Sequence, residues 1–546
     1  MAREGKQTVA SPSLSAILIL FAGIYLATHV RPPDPAENVA RQLQPVCSLS
    51  PVVEAVYETG VEPRLRSLDG EKSPPIHYMD FTGSSIYTNT QLEDVKNLLA
   101  SGIYGNPHSK SYSSRLSTAH VTEVRQQILR HFKADPEEYM VVFTRSATGA
   151  LTLLGESFPF TKDSRYAYTV SNHNSVLGVR AYAQEAGARV GALSEEEVER
   201  WLSSNGDDVL GENTSGNISG VSEKLDALNL FAFPAKDNFA GVLYPLDWIQ
   251  RVHDKGNNWL VLLDTAAYAP TYRLDLSVVK PDFAVVSFYK MFGLPSGVGC
   301  WIVKRSAEAK LQRTYWGGSS VFTATPGHRS PPWEVRFEDE AKWEDGTLPF
   351  LEIASLRAGF DAMNRLGGID AVSEYVTCLG HYLSSSLQGL RHSNGRPLVH
   401  LYGKHYDDPS RQSSIANFQL VKPNGDFFSY RTAAAVLADN GFQVRDGCAC
   451  NPGACYAATG VTEEEVRDKA IRANGAYKGW EIIVRGEEHV PLGSLRVSLG
   501  WLSRQVDVDA IVSFLARTYL DQEQDVKVLG NASGDSTGTM ASLYGC

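Results

Sequence analysis

The stretch that decides the fold is FAVVSFYK, residues 283–290, which is followed by a glycine-punctuated turn from Gly293 to Gly299. Its first five residues form a short apolar run of the length of a buried strand. Lys290 therefore stands just beyond the end of a predicted strand. A lysine placed there is presented to a ligand at the edge of a sheet.

A carboxylate is predicted near the same edge. The run WLVLLD, residues 259–264, has the pattern of a second buried strand, and it ends in Asp264. A lysine and an aspartate converging from neighbouring strand ends suit pyridoxal phosphate, because the lysine can bond to its aldehyde while the carboxylate keeps the pyridine nitrogen protonated. Strands ending in aspartate are common, however, and Ser287-x-x-Lys290 also matches a serine-nucleophile motif of penicillin-binding proteins. Features elsewhere in the sequence must therefore distinguish a cofactor site from a serine-nucleophile site.

Composition narrows the class of protein. The chain has 546 residues, of which 43% are hydrophobic and 21% charged, enough for one large core and a smaller second one. The net charge of -11 and the lack of a Lys/Arg run argue against nucleic-acid binding. The seven cysteines are too few and too unevenly spaced for a disulfide framework, which predicts a reducing compartment.

The chain divides into segments of different composition. Residues 14–30 are nearly all apolar, so residues 1–31 are predicted to be a hydrophobic anchor or signal segment. An uncleaved membrane anchor with a cytosolic-facing catalytic body is favoured, and a cytoplasmic protein is the alternative. The remaining predicted segments are a linker (32–75), a large cofactor-binding domain (76–366), a small C-terminal domain (367–524) and a disordered tail (525–546).

Strand-like and helical patterns alternate through the large domain. The predicted strands are residues 140–144, 166–170, 228–233, 259–264, 283–287 and 300–303. This alternation predicts an α/β body with a mostly parallel sheet. Beyond residue 367 the pattern becomes helix (371–387), strand (415–420), helix (430–439) and strand (495–499), which predicts a smaller α+β domain.

A small-residue turn follows the first of these strands. Ser146, Ala147 and Thr148 precede an apolar helical stretch that starts at Leu151. A helix N-terminus of this kind offers free N–H groups and a favourable dipole to a phosphate. These three residues are therefore predicted to bind the cofactor phosphate, although a serine before a helix is often only an N-cap.

Two further polar residues follow predicted strands. His173, in SNHNS, could stack on a pyridine ring, but an isolated histidine is often structural. Asn238, in KDNFAG, could donate to the phenolic oxygen of the cofactor, and a turn asparagine is an equally good interpretation.

The segment GCACNPGAC, residues 447–455, carries three cysteines on a loop bounded by glycine and proline. A thiol on a mobile loop could approach a bound substrate as a nucleophile. Inert thiols or a zinc site are the alternatives, although the spacing fits structural zinc sites poorly. Arg496 lies inside a strand-like run, where it needs an anionic partner, and a substrate carboxylate would serve.

Together these segments resemble the cysteine desulfurase branch of the fold type I pyridoxal-phosphate enzymes, especially the desulfurase domain of molybdenum cofactor sulfurases. The resemblance covers about residues 76–520. It is carried by five motifs: YGNPHS (104–109), NHNSVLG (172–178), SFYK (287–290), GCACNPGAC (447–455) and RVSLG (496–500).

The resemblance implies a role for each candidate. It implies that Lys290 bonds to the cofactor, Asp264 contacts the pyridine nitrogen, His173 stacks on the ring and Asn238 meets the phenolic oxygen. It also makes Ser287 a cofactor ligand, Arg496 the site for the substrate carboxylate and Cys450 the persulfide-forming cysteine. Ser319 would reach the phosphate of a neighbouring subunit, which implies a homodimer.

The implied activity is removal of sulfur from L-cysteine as a Cys450 persulfide, with release of alanine and transfer to a sulfur-acceptor protein. The sequence departs from the family pattern at Ala267, where many desulfurases have glutamine, at Tyr289 in place of histidine, and at Arg145. The alternative is a diverged lyase or carbon–carbon bond-forming enzyme that acts on an amino acid. A third possibility is an inactive scaffold protein.

Overall fold

The computed structural model describes residues 47–62, 74–204, 206, 209–210, 227–256, 258–473, 481–486 and 488–526. The predicted anchor at residues 14–30 lies outside the described residues, as does the predicted tail beyond residue 526. Within the part of the chain that is described, none of the helices has the length and apolarity needed to cross a bilayer.

A seven-stranded sheet forms the centre of the structure. Its strands are β1 (Tyr139–Thr144), β2 (Arg165–Thr169), β3 (Arg189–Leu193), β4 (Asn229–Pro234), β5 (Trp259–Asp264), β6 (Phe283–Ser287) and β7 (Gly299–Lys304). They lie in the order β1-β7-β6-β5-β4-β2-β3, and only β7 runs antiparallel to its neighbours. Every residue of β4, β5 and β6 is buried, as expected when helices cover both faces of a sheet.

Helices surround this sheet and continue beyond it. They are Ser50–Gly60, Asn89–Ala100, Tyr112–His131, Ala147–Ser157, Asn174–Leu177, Arg180–Glu185, Glu195–Ser203, Trp248–His253, Phe288–Phe292, Arg305–Glu308, Phe350–Arg365, Gly368–Gln388, Tyr430–Asp439, Pro452–Thr459, Glu463–Ala473 and Gln505–Tyr519. Short 3₁₀ turns occur at Glu340–Trp343 and Pro409–Arg411. The sequence predicts six of the seven strands but misses β3, whose residues are mostly half-buried and include Gly191, so no apolar run marks it.

A second, antiparallel sheet follows in the chain. Its strands are β8 (Val399–Tyr402), β9 (Ile415–Leu420), β10 (Arg445–Gly447) and β11 (Ser494–Ser498), in the order β8-β9-β11-β10. Short strand pairs join His77–Tyr78 to Phe442–Gln443, Val321–Thr325 to Trp333–Arg336, and Ile482–Arg485 to Glu488–Pro491. The predicted domain boundary after residue 366 coincides with the turn at Gly367 between two helices, and it stays a prediction.

The predicted linker at residues 32–75 differs from the structure in its middle. Residues Ser50–Gly60 form a helix whose Val53 and Tyr57 are buried, and the Arg504 guanidinium lies 3.8 Å from the centre of the Tyr57 ring. Cys47, just before this helix, is disulfide-bonded to Cys378. The prolines of this segment favour a linker, but an amphipathic helix lies between them. The residues that this helix packs against lie hundreds of positions away in the chain, so the local pattern does not indicate them.

Candidate active site

The functional side chains gather at the carboxyl ends of four parallel strands. Asp264 is the last residue of β5, and Lys290 lies in the short helix that follows β6. His173 follows β2, and Asn238 follows β4. Because these strands run in the same direction, the residues that follow them meet at one edge of the sheet, where α/β proteins bind ligands.

A cavity opens at this edge. Eight of the sequence-predicted site residues line it: Ser146, Ala147, Thr148, His173, Asn238, Asp264, Ser287 and Lys290. Lys236, Ala267 and Tyr289 also line it. The other three predicted residues, Cys450, Arg496 and Ser319, are not among its described lining residues.

Burial and nearby charges shift the pKa of Lys290, and a backbone hydrogen bond orients Asp264. Burial lowers the pKa of Lys290, and the Arg496 and Arg445 guanidinium groups lower it further, against the opposing effect of Asp264. A lysine with a lowered pKa is more readily the neutral amine that can attack an aldehyde. Asp264 is 8% exposed, and its Oδ1 accepts a 2.9 Å hydrogen bond from the Ala266 N–H. The carboxylate is thereby held in a fixed orientation at the cavity wall.

The His173 imidazole is oriented by the helix that it begins. Its Nδ1 accepts a 3.1 Å hydrogen bond from the Ser175 N–H, so a neutral ring carries its proton on Nε2. Burial, together with the charge of Lys290, lowers the pKa of His173 to about 4. At neutral pH the ring is therefore uncharged, and it can stack on an aromatic ligand without placing a second positive charge beside it.

The predicted phosphate-binding turn is an N-cap in the structure. Ser146 caps the helix Ala147–Ser157, and its Oγ accepts from the Gly149 N–H at 3.2 Å. Thr148 Oγ1 lies 2.8 Å from Ser175 Oγ. Ser287 Oγ accepts from the Ala147 N–H at 3.4 Å, so the end of β6 is tied to this turn. The capping role and a phosphate role are compatible, since Ser146, Ala147 and Thr148 at the start of this helix all line the cavity.

Gly299 allows this turn to lie directly on the sheet. A Cβ at position 299 would lie 2.6 Å from the Val286 carbonyl oxygen and 2.7 Å from the Ser146 carbonyl carbon. Both are backbone atoms, which cannot move aside as a flexible side chain could. The glycine at the start of β7 therefore sets the distance between the turn and the strand before Lys290.

The cysteine loop contains a disulfide. Cys448 is bonded to Cys455, while Cys450 stays outside both disulfides of the structure. The prediction that seven cysteines form no disulfide framework was wrong, because four of them are paired. Spacing along the chain could not reveal a pair separated by 331 residues, such as Cys47 and Cys378. The disulfide in the loop also removes two of the three thiolates that a zinc site would use.

The loop is fixed to the cavity wall, although the sequence predicts a mobile loop. Asn238 Nδ2 donates a 2.6 Å hydrogen bond to the Ala449 carbonyl, and the Asn174 N–H donates to the Cys450 carbonyl at 2.8 Å. Asn451 Nδ2 donates to Asn238 Oδ1 at 3.2 Å. Ala449 and Cys450 have φ angles of 53° and 56°, a left-handed conformation that non-glycine residues rarely adopt.

Arg496 is paired inside the protein. It is 3% exposed, and its Nη2 lies 2.7 Å from Asp80 Oδ1, while its Nη1 donates to the Asn238 carbonyl at 2.6 Å. Asp80 also binds Arg445 at 2.8 Å. The Nε of Arg496 is buried and has no hydrogen-bond partner among the described residues. The Asp80 carboxylate therefore already binds part of the Arg496 guanidinium, which is the predicted site for a substrate carboxylate. Only Nε of Arg496 remains as a donor without a partner among the described residues.

Ser319 lies apart from the cavity. Its Oγ is 2.8 Å from Nε2 of His108, a residue of the YGNPHS motif. Nearby, the hairpin Val321–Thr325 and Trp333–Arg336 exposes Phe322 and Trp333, which are 74% and 56% accessible. Ser319 therefore belongs to an exposed surface with large apolar side chains.

The sequence patterns do not indicate two further residues at the site, Lys236 and Asn451. Lys236 lines the cavity beside Lys290, and Asn451 both caps the helix Pro452–Thr459 and braces Asn238. The available signal for Lys236 was a charged residue two positions after the end of a mostly apolar, buried strand. For Asn451 it was an asparagine before proline, the usual start of a helix.

A lysine and an aspartate at adjacent strand ends, a helix N-terminus and an imidazole around one cavity are the features of a fold type I pyridoxal-phosphate protein. The chain belongs to the aminotransferase class V family, whose model matches residues 77–511. It is 34% identical over 488 residues to a molybdenum cofactor sulfurase of Oryza sativa, covering 84% of this chain and 57% of the relative. The human molybdenum cofactor sulfurase is 33% identical over 486 residues, covering 86% and 52%. The chain spans about half the length of these relatives.

Solved structures share the fold. A cysteine desulfurase from Thermococcus onnurineus superposes with a TM-score of 0.65 at 17% identity, covering 85% of this chain and 97% of the other. A cystine C–S lyase in complex with cysteine persulfide gives a TM-score of 0.58 at 16% identity, covering 81% and 97%. The predicted family and fold class, an α/β fold with a mostly parallel sheet, are confirmed.

The predicted cofactor, pyridoxal phosphate, is confirmed by the family and by the related structures, one of which carries glycine covalently linked to this cofactor. The cavity residues fit the group. Lys290 supplies a buried amine, Asp264 a fixed carboxylate, and the turn at Ser146 a helix N-terminus for the phosphate. The chain is thus a pyridoxal-phosphate enzyme.

Proposed function

We propose that the chain is a cysteine desulfurase-like enzyme that takes sulfur from L-cysteine as a persulfide on Cys450 and releases alanine. The observation that carries this proposal is the attachment of the Cys450 loop to the cofactor cavity. Asn238 lines that cavity and donates to the Ala449 carbonyl at 2.6 Å, which holds the neighbouring Cys450 beside the site.

Bound pyridoxal phosphate supplies an electron sink for the α-carbon of the substrate. Lys290 would hold the cofactor and, as a neutral base favoured by its lowered pKa, would take the α-proton of the substrate. Asp264 would bind the pyridine nitrogen and favour its protonated form, and His173, uncharged at neutral pH, would pack against the ring. Ser146, Ala147, Thr148 and Ser287 surround the phosphate end of the cavity.

The sulfur step uses Cys450. Its thiolate attacks the substrate sulfur, so a sulfur–sulfur bond forms while the carbon–sulfur bond breaks. The electron pair of the broken bond stays on the substrate carbon and takes up a proton, which gives alanine. Cys450 is left as a persulfide, and a second thiol, such as that of an acceptor protein, removes the terminal sulfur.

Ser319 supports a homodimer as part of the same proposal. It lies on an exposed surface with the hairpin that presents Phe322 and Trp333. A second copy of the chain packed there would bury these apolar side chains and bring Ser319 towards the phosphate of its partner.

The decisive experiment compares Cys450→Ala with Cys300→Ala, the matched control at a fully buried cysteine in β7 that lies outside the disulfides. Holo-protein is incubated with L-cysteine, and the alanine formed is quantified. The mass of the peptide that contains Cys450 is then measured by mass spectrometry to detect one added sulfur atom. Cys450→Ala should abolish alanine formation while the cofactor absorption is kept, and Cys300→Ala should still form alanine. Turnover of an amino acid that is unaffected by Cys450→Ala would refute the proposal and favour a lyase.

A further inference from the structure

Lys236 is a buried lysine without an acidic partner. It is 3% exposed, and its Nζ donates a 2.9 Å hydrogen bond to Thr271 Oγ1 and lies 5.0 Å from the centre of the Tyr272 ring. No carboxylate lies within 4 Å of Nζ in the described part of the chain. A buried ammonium without a counterion is costly, so this position needs either a neutral amine or an anion.

The adjacent Asp237 makes no ion pair with Lys236. Its Oδ1 accepts from the N–H groups of Phe239 and Ala240, and its Oδ2 accepts from that of Val242, each at 2.8 Å. The carboxylate is therefore used to hold its own turn. When Lys236 is charged, its counterion therefore has to come from outside this turn.

A second cavity lies beside the cofactor cavity. Lys236, Ala267 and Lys290 line both cavities. The remaining described walls of the second cavity come from residues 81–82, 270–271 and 499–501, and none of these is acidic. Ala267, the small residue at the position where the sequence departs from the family pattern, borders both spaces. The second cavity thus borders Lys290 and carries positive charge without an acidic side chain among its described lining residues.

Arg496 adds to this positive charge. Asp80 binds its Nη2, but its Nε is buried and unpaired among the described residues. The charge of Arg496 is one of the influences acting on Lys236. Among the described residues, Nε of Arg496 therefore lacks an acceptor, and Lys236 has a hydroxyl acceptor but no anionic partner.

We propose that Lys236 is a substrate-binding residue that holds the carboxylate of the amino acid, with Arg496 as the second donor. This inference rests on the proposed function, because it places an α-amino acid at Lys290. It adds a residue from the end of β4 to the site and assigns the second cavity to the carboxylate end of the substrate. Thr271 positions the ammonium through its hydroxyl.

Binding of a carboxylate should change the protonation of Lys236. Burial, followed by the charge of Arg496, lowers the pKa of Lys236 to about 7; Asp237 opposes this effect and Lys290 adds to it. Above that pH most of the free enzyme carries a neutral amine at position 236. A bound carboxylate favours the charged form, so binding of an amino acid at pH 8 draws a proton onto Lys236.

The test compares Lys236→Met with Lys133→Met, a matched control at an exposed lysine paired with Asp275. L-alanine and ethylamine, which differ only by the carboxylate, are titrated into each holo-protein, and binding is read from the visible absorption of the cofactor. Lys236→Met should weaken L-alanine at least ten-fold and leave ethylamine unchanged. Calorimetry at pH 8 in two buffers of different ionisation enthalpy should show that the proton uptake with L-alanine is lost in the same variant.

The outcomes separate the two proposals. If L-alanine binds Lys236→Met as tightly as it binds the unaltered protein, or if ethylamine is weakened equally, the role of Lys236 is wrong and the desulfurase proposal stands. If the unaltered protein shows no cofactor absorption, or an absorption that no amino acid changes, both proposals are wrong. A Lys236→Arg variant that recovers L-alanine binding supports the carboxylate role.

Discussion

Asn238 Nδ2 donates a 2.6 Å hydrogen bond to the carbonyl oxygen of Ala449, so one side chain connects the cofactor cavity to the loop that carries Cys450. The loop and the end of β4 are 211 residues apart in the chain. Asn451 strengthens the connection by donating to Asn238 Oδ1. The position of the thiol is therefore coupled to a residue that also lines the cavity.

Asn238→Ala should loosen the Cys450 loop. The Ala449 carbonyl and the Asn451 amide would lose their partner in a buried place, which costs about 1–3 kcal/mol for each unsatisfied group. We expect at least ten-fold slower formation of the Cys450 persulfide, while the cofactor is still bound. Hydrogen exchange of residues 447–451 checks the cause, since faster exchange is expected there and unchanged exchange would argue against the coupling.

Gly299→Ala should disturb the phosphate turn. The new Cβ would be placed 2.6 Å from Val286 O, so the turn or the strand must shift, at a cost above about 2 kcal/mol. We expect lower cofactor affinity and a lower midpoint of urea unfolding.

Gly389→Ala is the control for that glycine variant. Gly389 has φ -72°, and the nearest atom to its added Cβ lies 3.4 Å away. Cofactor affinity should be unchanged there, and an equal loss in both variants would contradict the close-approach explanation.

His405 should make the protein acid-sensitive. Burial, together with His381, lowers its pKa to about 4, and its Nε2 has no partner among the described residues. Because the folded-state pKa lies below the unfolded value of about 6.5, the stabilisation is complete above pH 6.5 and is lost as the pH falls towards 4. For one histidine this amounts to about 3 kcal/mol.

Urea unfolding between pH 7.5 and 4.5 measures this effect. The slope of the unfolding free energy against pH reports how many protons are taken up on unfolding. In His405→Gln this slope should be smaller, by an amount that corresponds to up to about one proton per molecule. An identical pH dependence in the variant and the unaltered protein would remove His405 from the explanation.

The Cys47–Cys378 disulfide should stabilise the protein. It joins the segment before the helix Ser50–Gly60 to the helix Gly368–Gln388, across 331 residues. Chain entropy sets an upper limit of about 6 kcal/mol for a closed loop of this length. Replacing both cysteines with serine should lower the melting temperature, and a reducing agent should then have little further effect on this region. Peptide mapping without reduction should recover the two linked peptides.

The sequence by itself determined six of the seven strands of the central sheet and most of the cavity. β4, β5 and β6 are apolar runs because they are buried on both faces, and such runs can be recognised without a structure. Asp264 and Lys290 follow from them, since residues after parallel strands must meet at one sheet edge. Helix-starting residues such as Ser146 were also local signals.

Only the tertiary structure decided the pairings between distant segments. The Cys47–Cys378 disulfide, the Asp80–Arg496 ion pair and the Asn238–Ala449 hydrogen bond each join residues more than 200 positions apart. Chain patterns report the periodicity of burial within one element, but they carry no information on which side chains two elements place opposite each other. The partners of Lys236 and the chemistry of the cysteine loop therefore became visible only in the folded protein.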